Sequence, residues 1–304
     1  MASLIDGSKL EIQKQIELQM TRDDGDAFRC ELGKVIMDMD DAYRPQGSPF
    51  RSHLGASMLG RKCARELWYG FRWFTKPHHS PRLMRLFNRG HLEEARFIAL
   101  LRSVQGVDVT CAHPETGNQF RMQYGNGHGG GSLDSLIFNI PDLPNEWILG
   151  EYKTHGDKSF KKLKKDGVAK AKPEHVVQMQ CYMGAYGLQW ALYMAVNKND
   201  DELYCELVRF DHRVRDKYLE RGEKIIVARE PPPKISNNPT WFECKFCDHN
   251  RVCHQDGEPV MNCRTCVNSE PIANREWWCH HWNRYIQKEL METGCDTWDP
   301  FKSE

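Results

Sequence analysis

The feature that most constrains the fold is a change in hydrophobic periodicity after residue 102. Before that point, apolar side chains recur at helical spacing over Ser57–Phe71 and Leu83–Arg102. After it, four short alternating segments bounded by Gly, Pro and Asn predict strands. These predicted strands are Val107–Cys111, Gln119–Tyr124, Ser132–Ile140 and Trp147–Lys153.

The rest of the chain continues with a different order of elements. We expect a long helix over Pro173–Met194, a strand over Leu203–Phe210 and a helix over Val214–Ala228. Because this order is not a regular strand–helix alternation, it predicts an α/β fold in which helices flank a mixed central sheet. The glycine-rich run Gly125–Gly131 is expected to be a loop, and it does not fit the pattern of a phosphate-binding loop.

Breaks in the sequence divide the chain into four predicted regions. Residues 1–54 form a helical extension, with short helices expected around Ser8–Met20 and Phe28–Asp41. Residues 55–230 form the core. Residues 231–255 and 256–304 form a cysteine-rich region that begins at the stiff break Pro231–Pro233 and has little core-forming sequence.

Composition limits the functional classes only loosely. Lysine plus arginine equals aspartate plus glutamate at 42 each, so any basic surface for nucleic acid must be local. We find no signal peptide and no apolar run approaching the roughly 18 residues of a membrane span. The expectation is a protein without membrane association in the cytoplasm of a bacterium or a phage-infected cell.

Two carboxylates and a lysine are expected to meet on neighbouring strands. Asp134 begins one predicted strand, and Glu151 and Lys153 end the strand that follows. Side chains alternate faces along a strand, so Glu151 and Lys153 point the same way, towards Asp134 if the strands are neighbours. Two carboxylates with a backbone carbonyl suit Mg²⁺ or Mn²⁺, and a nearby lysine can position or deprotonate water. The alternative is a solvated, charged strand face.

Three neighbouring features favour the catalytic interpretation. His91 or Glu94, on the preceding helix, can supply a further ligand. Gln178 and Tyr182 are four residues apart on the following helix and so share a face. A lysine run follows the Glu-x-Lys strand and predicts a loop that binds the DNA backbone. The run contains Lys158, Lys161, Lys162, Lys164, Lys165, Lys170 and Lys172.

In this order the motifs resemble the RecB-like branch of the PD-(D/E)XK nucleases. The resemblance implies catalytic roles for Asp134, Glu151 and Lys153. It also implies that Asp134, Glu151 and the Tyr152 carbonyl hold Mg²⁺ or Mn²⁺, and that Gln178 and Tyr182 assist with DNA or the lysine. Many members have histidine where this chain has Glu94; phage recombination exonucleases resemble it in using glutamate, so we favour Glu94 over His91.

A first cysteine group predicts a metal site. The chain has 12 cysteines, many for an intracellular protein, and reduced cysteines at such spacing are more often metal ligands than disulfides. Cys244, Cys247 and Cys253 are clustered, and Cys63 can add a fourth thiolate. Spacing alone fits zinc or iron–sulfur. One cysteine before the nuclease motifs and three after them resembles AddB-type and CRISPR-associated nucleases, which implies a [4Fe–4S] cluster.

A second cysteine group predicts a small zinc site in the tail. Cys263, Cys266 and Cys279 need a fourth ligand, for which Cys295, His280 and His281 compete; we favour Cys295. The alternative is a set of reduced structural cysteines. The family resemblance covers roughly residues 55–255 and does not reach this group.

The leading interpretation is a metal-dependent DNA exonuclease acting on single strands or DNA ends in recombination, replication or repair. A non-catalytic nucleic-acid-binding protein with structural metal sites is the alternative, and a redox-regulated iron–sulfur protein is a third. The resemblance also implies recombination or CRISPR partner proteins. Ring-shaped assembly occurs among relatives, but no self-association surface can be read from this sequence, so a homo-oligomer and a monomer stay open.

Overall fold

The computed structural model describes residues 9–38 and 48–302, which form two compact units. The first unit contains residues 9–38, 79–122 and 132–215. The second contains residues 48–78, 123–131 and 216–302. The predicted core of residues 55–230 therefore takes residues from both units, and the predicted region boundaries stay predictions. No helix in the described ranges combines the length and the apolar character needed to cross a membrane.

The elements are numbered in chain order. The helices are α1 (Glu11–Arg22), α2 (Asp26–Val35), α3 (Ala64–Phe71), α4 (Pro81–Arg102), α5 (Asp157–Ala171), α6 (Pro173–Tyr186), α7 (His212–Val227), α8 (Phe242–Lys245) and α9 (Asn250–His254). The strands are β1 (Leu54–Gly55), β2 (Asp108–Thr110), β3 (Arg121–Tyr124), β4 (Gly129–Ser132), β5 (Ser135–Ile140), β6 (Leu143–His155), β7 (Trp190–Asn197), β8 (Leu203–Arg209), β9 (Ser269–Pro271), β10 (Trp277–Cys279) and β11 (Arg284–Tyr285).

A five-stranded sheet organises the first unit. Its strand order is β2-β5-β6-β7-β8, with β6 and β7 parallel and the other neighbours antiparallel. The prediction of a mixed α/β fold is therefore confirmed. The predicted strand at Gln119–Tyr124 does not join this sheet, because β3 belongs to a separate three-stranded sheet in the order β1-β4-β3.

Helices α1, α2 and α4 share an apolar core with one face of the five-stranded sheet. Ile12 and Phe97 are buried against strand residues such as Tyr152, whose ring stacks on Phe97 at 5.2 Å. The carboxylate of Asp142 accepts hydrogen bonds from the backbone N–H groups of Glu11 and Ile12, both at 2.8 Å. Because the first N–H groups of a helix lack intrahelical partners, this contact fixes the start of α1.

The predicted helix over Pro173–Met194 is wrong beyond residue 186. Helix α6 ends at Tyr186, where Gly187 adopts a left-handed conformation with φ of 67° that glycine tolerates and that commonly ends helices. The following apolar run forms β7, in the interior of the sheet. A strand buried on both faces lacks alternation, so its sequence is indistinguishable from a buried helical segment.

Other predictions need correction as well. The lysine run from Lys158 to Lys170 is not a loop but the exposed face of α5, whose opposite face buries Phe160 and Leu163; Lys172 follows the helix and is half-buried. Part of the predicted glycine loop forms β4, which pairs in parallel with β1. At Gly129 a Cβ atom would lie 2.2 Å from the ring of Tyr124, so glycine permits this close approach. The predicted helix at Ser57–Phe71 begins only at Ala64. The predicted N-terminal helices correspond to α1 and α2; Ser8 and residues 39–41 lie outside the described residues.

The second unit contains the cysteine-rich segments. Its small sheet has the order β11-β10-β9 and is antiparallel throughout. Trp68 and Trp277 are fully buried, as is the guanidinium-bearing residue Arg72, which lies over both indole rings at 5.4 and 5.3 Å. This core is aromatic and cationic rather than aliphatic.

Candidate active site and cysteine clusters

Strand pairing in the first unit brings Asp134, Glu151 and Lys153 together. Ser135 pairs with Gly150 in the antiparallel β5–β6 ladder, so Asp134, one residue before β5, lies opposite Glu151. The carboxylate of Asp134 accepts a hydrogen bond from the Tyr152 backbone N–H at 2.9 Å. The Lys153 ammonium contacts Glu151, lies 3.9 Å from Asp134 Oδ2 and donates to the Tyr152 carbonyl at 3.1 Å.

Helix α4 adds Glu94 to this group. Burial, followed by the charge of Asp134, raises the pKa of Glu94 to about 8, and Glu151 and Lys153 also act on it. The adjacent Glu93 instead lies 3.6 Å from Arg96, away from these carboxylates. The structure therefore brings Glu94 to the site, whereas the half-buried His91 makes no hydrogen bond or salt bridge to it among the described residues.

Glu151 is the most buried member of the group. Its side chain is fully buried, and one carboxylate oxygen, Oε2, has no hydrogen-bond partner among the described residues. Burial raises the pKa of Glu151 to about 8 against the opposing effect of Lys153. Lys153 compensates an ionised Glu151 at one oxygen only, and a divalent cation would supply a partner for Oε2.

The donor set fits a divalent cation by its chemistry. Three carboxylates and the Tyr152 carbonyl supply the hard oxygen ligands that Mg²⁺ and Mn²⁺ prefer. Within residues 9–38 and 48–302, however, no three His, Cys, Asp or Glu side chains already stand around one point at metal-binding distances. The Lys153 contact with Glu151 occupies part of this space, so cation binding requires side-chain rearrangement.

The electrostatics of Lys153 favour one of the two roles predicted for it. Burial alone would lower the pKa of Lys153, but Glu151 and Asp134 outweigh burial and raise it. Deprotonation of water by Lys153 would need a lowered pKa, so this arrangement does not favour that role. Lys153 is a cation here, which suits positioning of water or phosphate rather than removal of a proton.

A hydrogen-bonded network beside the site was missed by sequence reasoning. The hydroxyl of Tyr193, the register partner of Glu151, lies 2.9 Å from both His155 Nε2 and His175 Nδ1. Burial lowers the pKa of His155 to about 4 and that of His175 to about 2, so both rings are neutral. Side-chain alternation along β6 places His155 on the same face as Glu151 and Lys153. This two-residue spacing is a sequence signal from which His155 could have been predicted to lie near the site.

The predicted DNA-contacting residues on α6 are buried, whereas the predicted DNA-binding lysines on α5 are exposed. Gln178 and Tyr182 lie on α6 and are 6% and 2% exposed, so their predicted action on DNA or the lysine stays a prediction. On α5, Lys161 pairs with Asp157 at 2.9 Å and Lys164 pairs with Glu202. All five predicted DNA-binding lysines are exposed; they are Lys158, Lys161, Lys162, Lys164 and Lys165.

The second unit brings each predicted cysteine group together. The first group surrounds a cavity of about 20 Å³, and burial, followed by Glu66 and the Cys63 thiol, raises the pKa of Cys247 to about 12. The members of this group are Cys63, Cys244, Cys247 and Cys253. The second group surrounds another cavity of about 20 Å³. Its members are Cys263, Cys266, Cys279 and Cys295.

Comparisons with known proteins do not show a family. No family model matches the chain, and no curated protein matches it. The chain is similar to the crystal structure of SSO0001, with 14% sequence identity and a TM-score of 0.40. The aligned region spans 75% of this chain and 93% of the SSO0001 chain. Two structures of the alkaline exonuclease LHK-Exo from Laribacter hongkongensis, one in complex with dAMP, are 18% identical. They cover 57% of this chain and 86% of theirs, with TM-scores of 0.36. Likeness of this degree carries no functional argument.

Proposed function

We propose that the chain is a divalent-cation-dependent deoxyribonuclease of the PD-(D/E)XK type that hydrolyses phosphodiester bonds. The observation that carries the proposal is the convergence of Asp134, Glu151 and Lys153 with Glu94 at one end of two sheet strands. Three ionisable carboxylates and an ammonium so close together are costly to bury, and such clusters are typical of functional sites.

The cation ligands follow from the donor set. Asp134, Glu151 and the Tyr152 carbonyl would hold Mg²⁺ or Mn²⁺, with Glu94 as an outer ligand or a ligand to a second ion. A cation bound there would lower the pKa of a water ligand and offset the charge that develops on the phosphate.

The chain's own residues orient the reactants. The Tyr152 N–H holds the Asp134 carboxylate in a fixed position. Lys153, as an ammonium, would orient the attacking water or a non-bridging phosphate oxygen. The water oxygen would bond to phosphorus and release one proton to solvent, while the bond from phosphorus to the leaving oxygen breaks and that oxygen takes up one proton from solvent. Since positioning of this kind lowers the barrier only for the correct geometry, the fixed strand register contributes to catalysis.

Contacts with DNA are proposed for the exposed face of α5. Its lysines would neutralise backbone phosphates, a contribution that does not depend on base sequence. We further propose action on single strands or DNA ends, with exonuclease more in keeping with the motifs than endonuclease.

The first cysteine group is proposed to hold a metal that ties residue 63 to residues 244–253. Four thiols around one cavity fit a [4Fe–4S] cluster, and zinc is the alternative. Joining positions so far apart in sequence would restrict the unfolded chain and stabilise the fold. Iron content and visible absorption of anaerobically purified protein distinguish the two.

The function is tested by incubating labelled DNA with the protein and Mg²⁺ or Mn²⁺. Cleavage should require the cation and should be lost in Glu151→Gln. The matched control is Glu146→Gln, an exposed carboxylate on the same strand, which should cleave like the unaltered protein. DNA binding without cleavage under any cation would instead favour the non-catalytic alternative. Comparing linear with circular single strands then separates exonuclease from endonuclease action.

A further inference from the structure

We propose that Cys263, Cys266, Cys279 and Cys295 form a structural zinc site that organises the C-terminal tail. The four thiols come from three separate segments and line one cavity of about 20 Å³, roughly the space of one or two water molecules. Four thiolates from short loops are the usual donor set of structural zinc sites in proteins.

Each segment is fixed by backbone hydrogen bonds that do not involve the sulfur atoms. The Cys266 N–H donates to the Cys263 carbonyl at 3.2 Å, which forms a tight turn between the first two thiols. Cys279 ends β10, and the Trp298 N–H closes a turn onto the Cys295 carbonyl at 2.9 Å. The backbone therefore presents all four side chains to one place.

Two of the sulfur atoms already accept hydrogen bonds. The Trp282 backbone N–H points at Cys279 Sγ at 3.5 Å, and the Asn268 side-chain amide points at Cys266 Sγ at 3.8 Å. Donors of this kind stabilise thiolate, the form that binds metal, and they are the outer contacts expected around a metal site.

The other two thiols have local partners that explain the present side-chain positions. Cys263 Sγ lies 3.5 Å from the Leu290 carbonyl, and Cys295 Sγ lies 3.3 Å from the Thr297 hydroxyl. In the described chain no group of three ligands is closed around a point. Zinc binding would release the protons of the four thiols and rotate these two side chains towards the ion.

Buried cations nearby match the charge of such a centre. Arg72 and Arg264 are 0% and 4% exposed, and neither has a carboxylate within salt-bridge distance among the residues described. Arg72 donates to the Arg264 carbonyl and to Ser269. Burial lowers its pKa to about 9, whereas Glu270 and then the Cys266 thiol act in the opposite direction. Two buried, unpaired guanidiniums are costly, whereas zinc with four thiolates carries two negative charges and would offset them.

The structure also separates the competing fourth ligands. His280 is engaged by Glu270, whose carboxylate lies 2.6 Å from His280 Nε2. His281 lines the same cavity as the thiols, but so does Cys295. With Cys295 the set is four thiolates, and their zinc complex carries two negative charges that would offset both guanidiniums; charge therefore favours Cys295.

The test is zinc content of the purified full chain, measured with Cys295→Ser and Cys295→His. We expect the serine variant to carry about one zinc fewer per chain than the unaltered protein, whatever the first cysteine group holds, and the histidine variant to retain it because imidazole replaces thiolate. His281→Ala and Cys30→Ser, an exposed cysteine in α2, are controls that should keep the full content.

Cobalt substitution provides a second readout, because its visible spectrum reports which ligands hold the ion as well as how much is bound. Tetrahedral thiolate coordination should give strong visible bands that weaken in Cys295→Ser and persist in Cys244→Ser. Unaltered protein that is folded and reduced yet contains no zinc at this group would overturn the proposal, as would zinc retained in Cys295→Ser but lost in His281→Ala.

Discussion

The raised carboxyl pKa values predict that cation binding strengthens steeply with pH. Burial and neighbouring carboxylates raise the pKa of Glu94 and of Glu151 to about 8 in the cation-free protein. A divalent cation binds the ionised form, so it must displace any proton that the carboxyl carries. Cation binding should therefore release protons near neutral pH.

The size of the effect follows from one carboxyl group. Between about pH 6 and about pH 8, a group with a pKa of about 8 passes from almost fully protonated to half protonated. The apparent affinity should rise by roughly one to two orders of magnitude, or about 2 kcal/mol, for each such group. If both Glu94 and Glu151 must lose a proton, the dependence is steeper.

The assay is Mn²⁺ binding to the protein without DNA, followed by the loss of the free-ion electron paramagnetic resonance signal. Glu94→Gln should bind less tightly and with a shallower pH dependence, because one titrating ligand is gone. Glu146→Gln, which is exposed on the same strand as Glu151, should match the unaltered protein. An affinity that stays constant across this pH range, in protein that remains folded, would refute the reasoning.

Three further predictions concern stability and DNA affinity. A carboxyl whose pKa is raised from 4.5 to about 8 contributes stability that is complete below about pH 4.5 and is lost as the pH rises through 8. Urea unfolding of cation-free protein should therefore show the free energy of unfolding falling by a few kcal/mol over that range, and Glu151→Gln should flatten the fall. Gly150→Ala places a Cβ atom 2.2 Å from Ser135 Oγ and 2.7 Å from the Tyr152 hydroxyl, so thermal unfolding should show destabilisation of about 1–3 kcal/mol. The control Gly156→Ala, where no atom lies within 4 Å of the added Cβ, should leave the stability unchanged. Equal effects of the two substitutions would contradict the packing argument. Replacing exposed α5 lysines with alanine should weaken DNA binding and reduce the salt dependence by roughly 0.7–0.9 per lysine removed, measured by fluorescence anisotropy; an unchanged slope would place the DNA elsewhere. The lysines to replace are Lys158, Lys162 and Lys165.

The proximity of the three central residues could be predicted from sequence because it depends on strand alternation alone. The two-residue period aligns Glu151 with Lys153, and antiparallel pairing of adjacent strands brings Asp134 opposite. Glu94 could be proposed from its place on a preceding helix, but only packing distinguishes it from Glu93, one residue and about 100° away on the helix. The functional roles of these residues stay proposals.

Features that depend on burial could not be predicted. The apolar run at Trp190–Asn197 fits a helix as well as a strand, and only the left-handed turn at Gly187 ends α6 in time. The direction of the Lys153 pKa depends on whether carboxylates outweigh burial, which is a matter of distance. The lysine run was interpreted from its charge alone. It forms a helix because Phe160 and Leu163, three residues apart, bury one face of the segment.

The central claim is tested most directly by measuring cleavage and binding of labelled single-stranded DNA in the same samples. Unaltered protein, Asp134→Ala and Lys153→Ala would be compared with Mn²⁺, beside Asp108→Asn as an exposed carboxylate control on β2. The account predicts that both active-site variants lose cleavage yet still bind DNA, while the control does both. Cleavage retained in both Asp134→Ala and Lys153→Ala would contradict it.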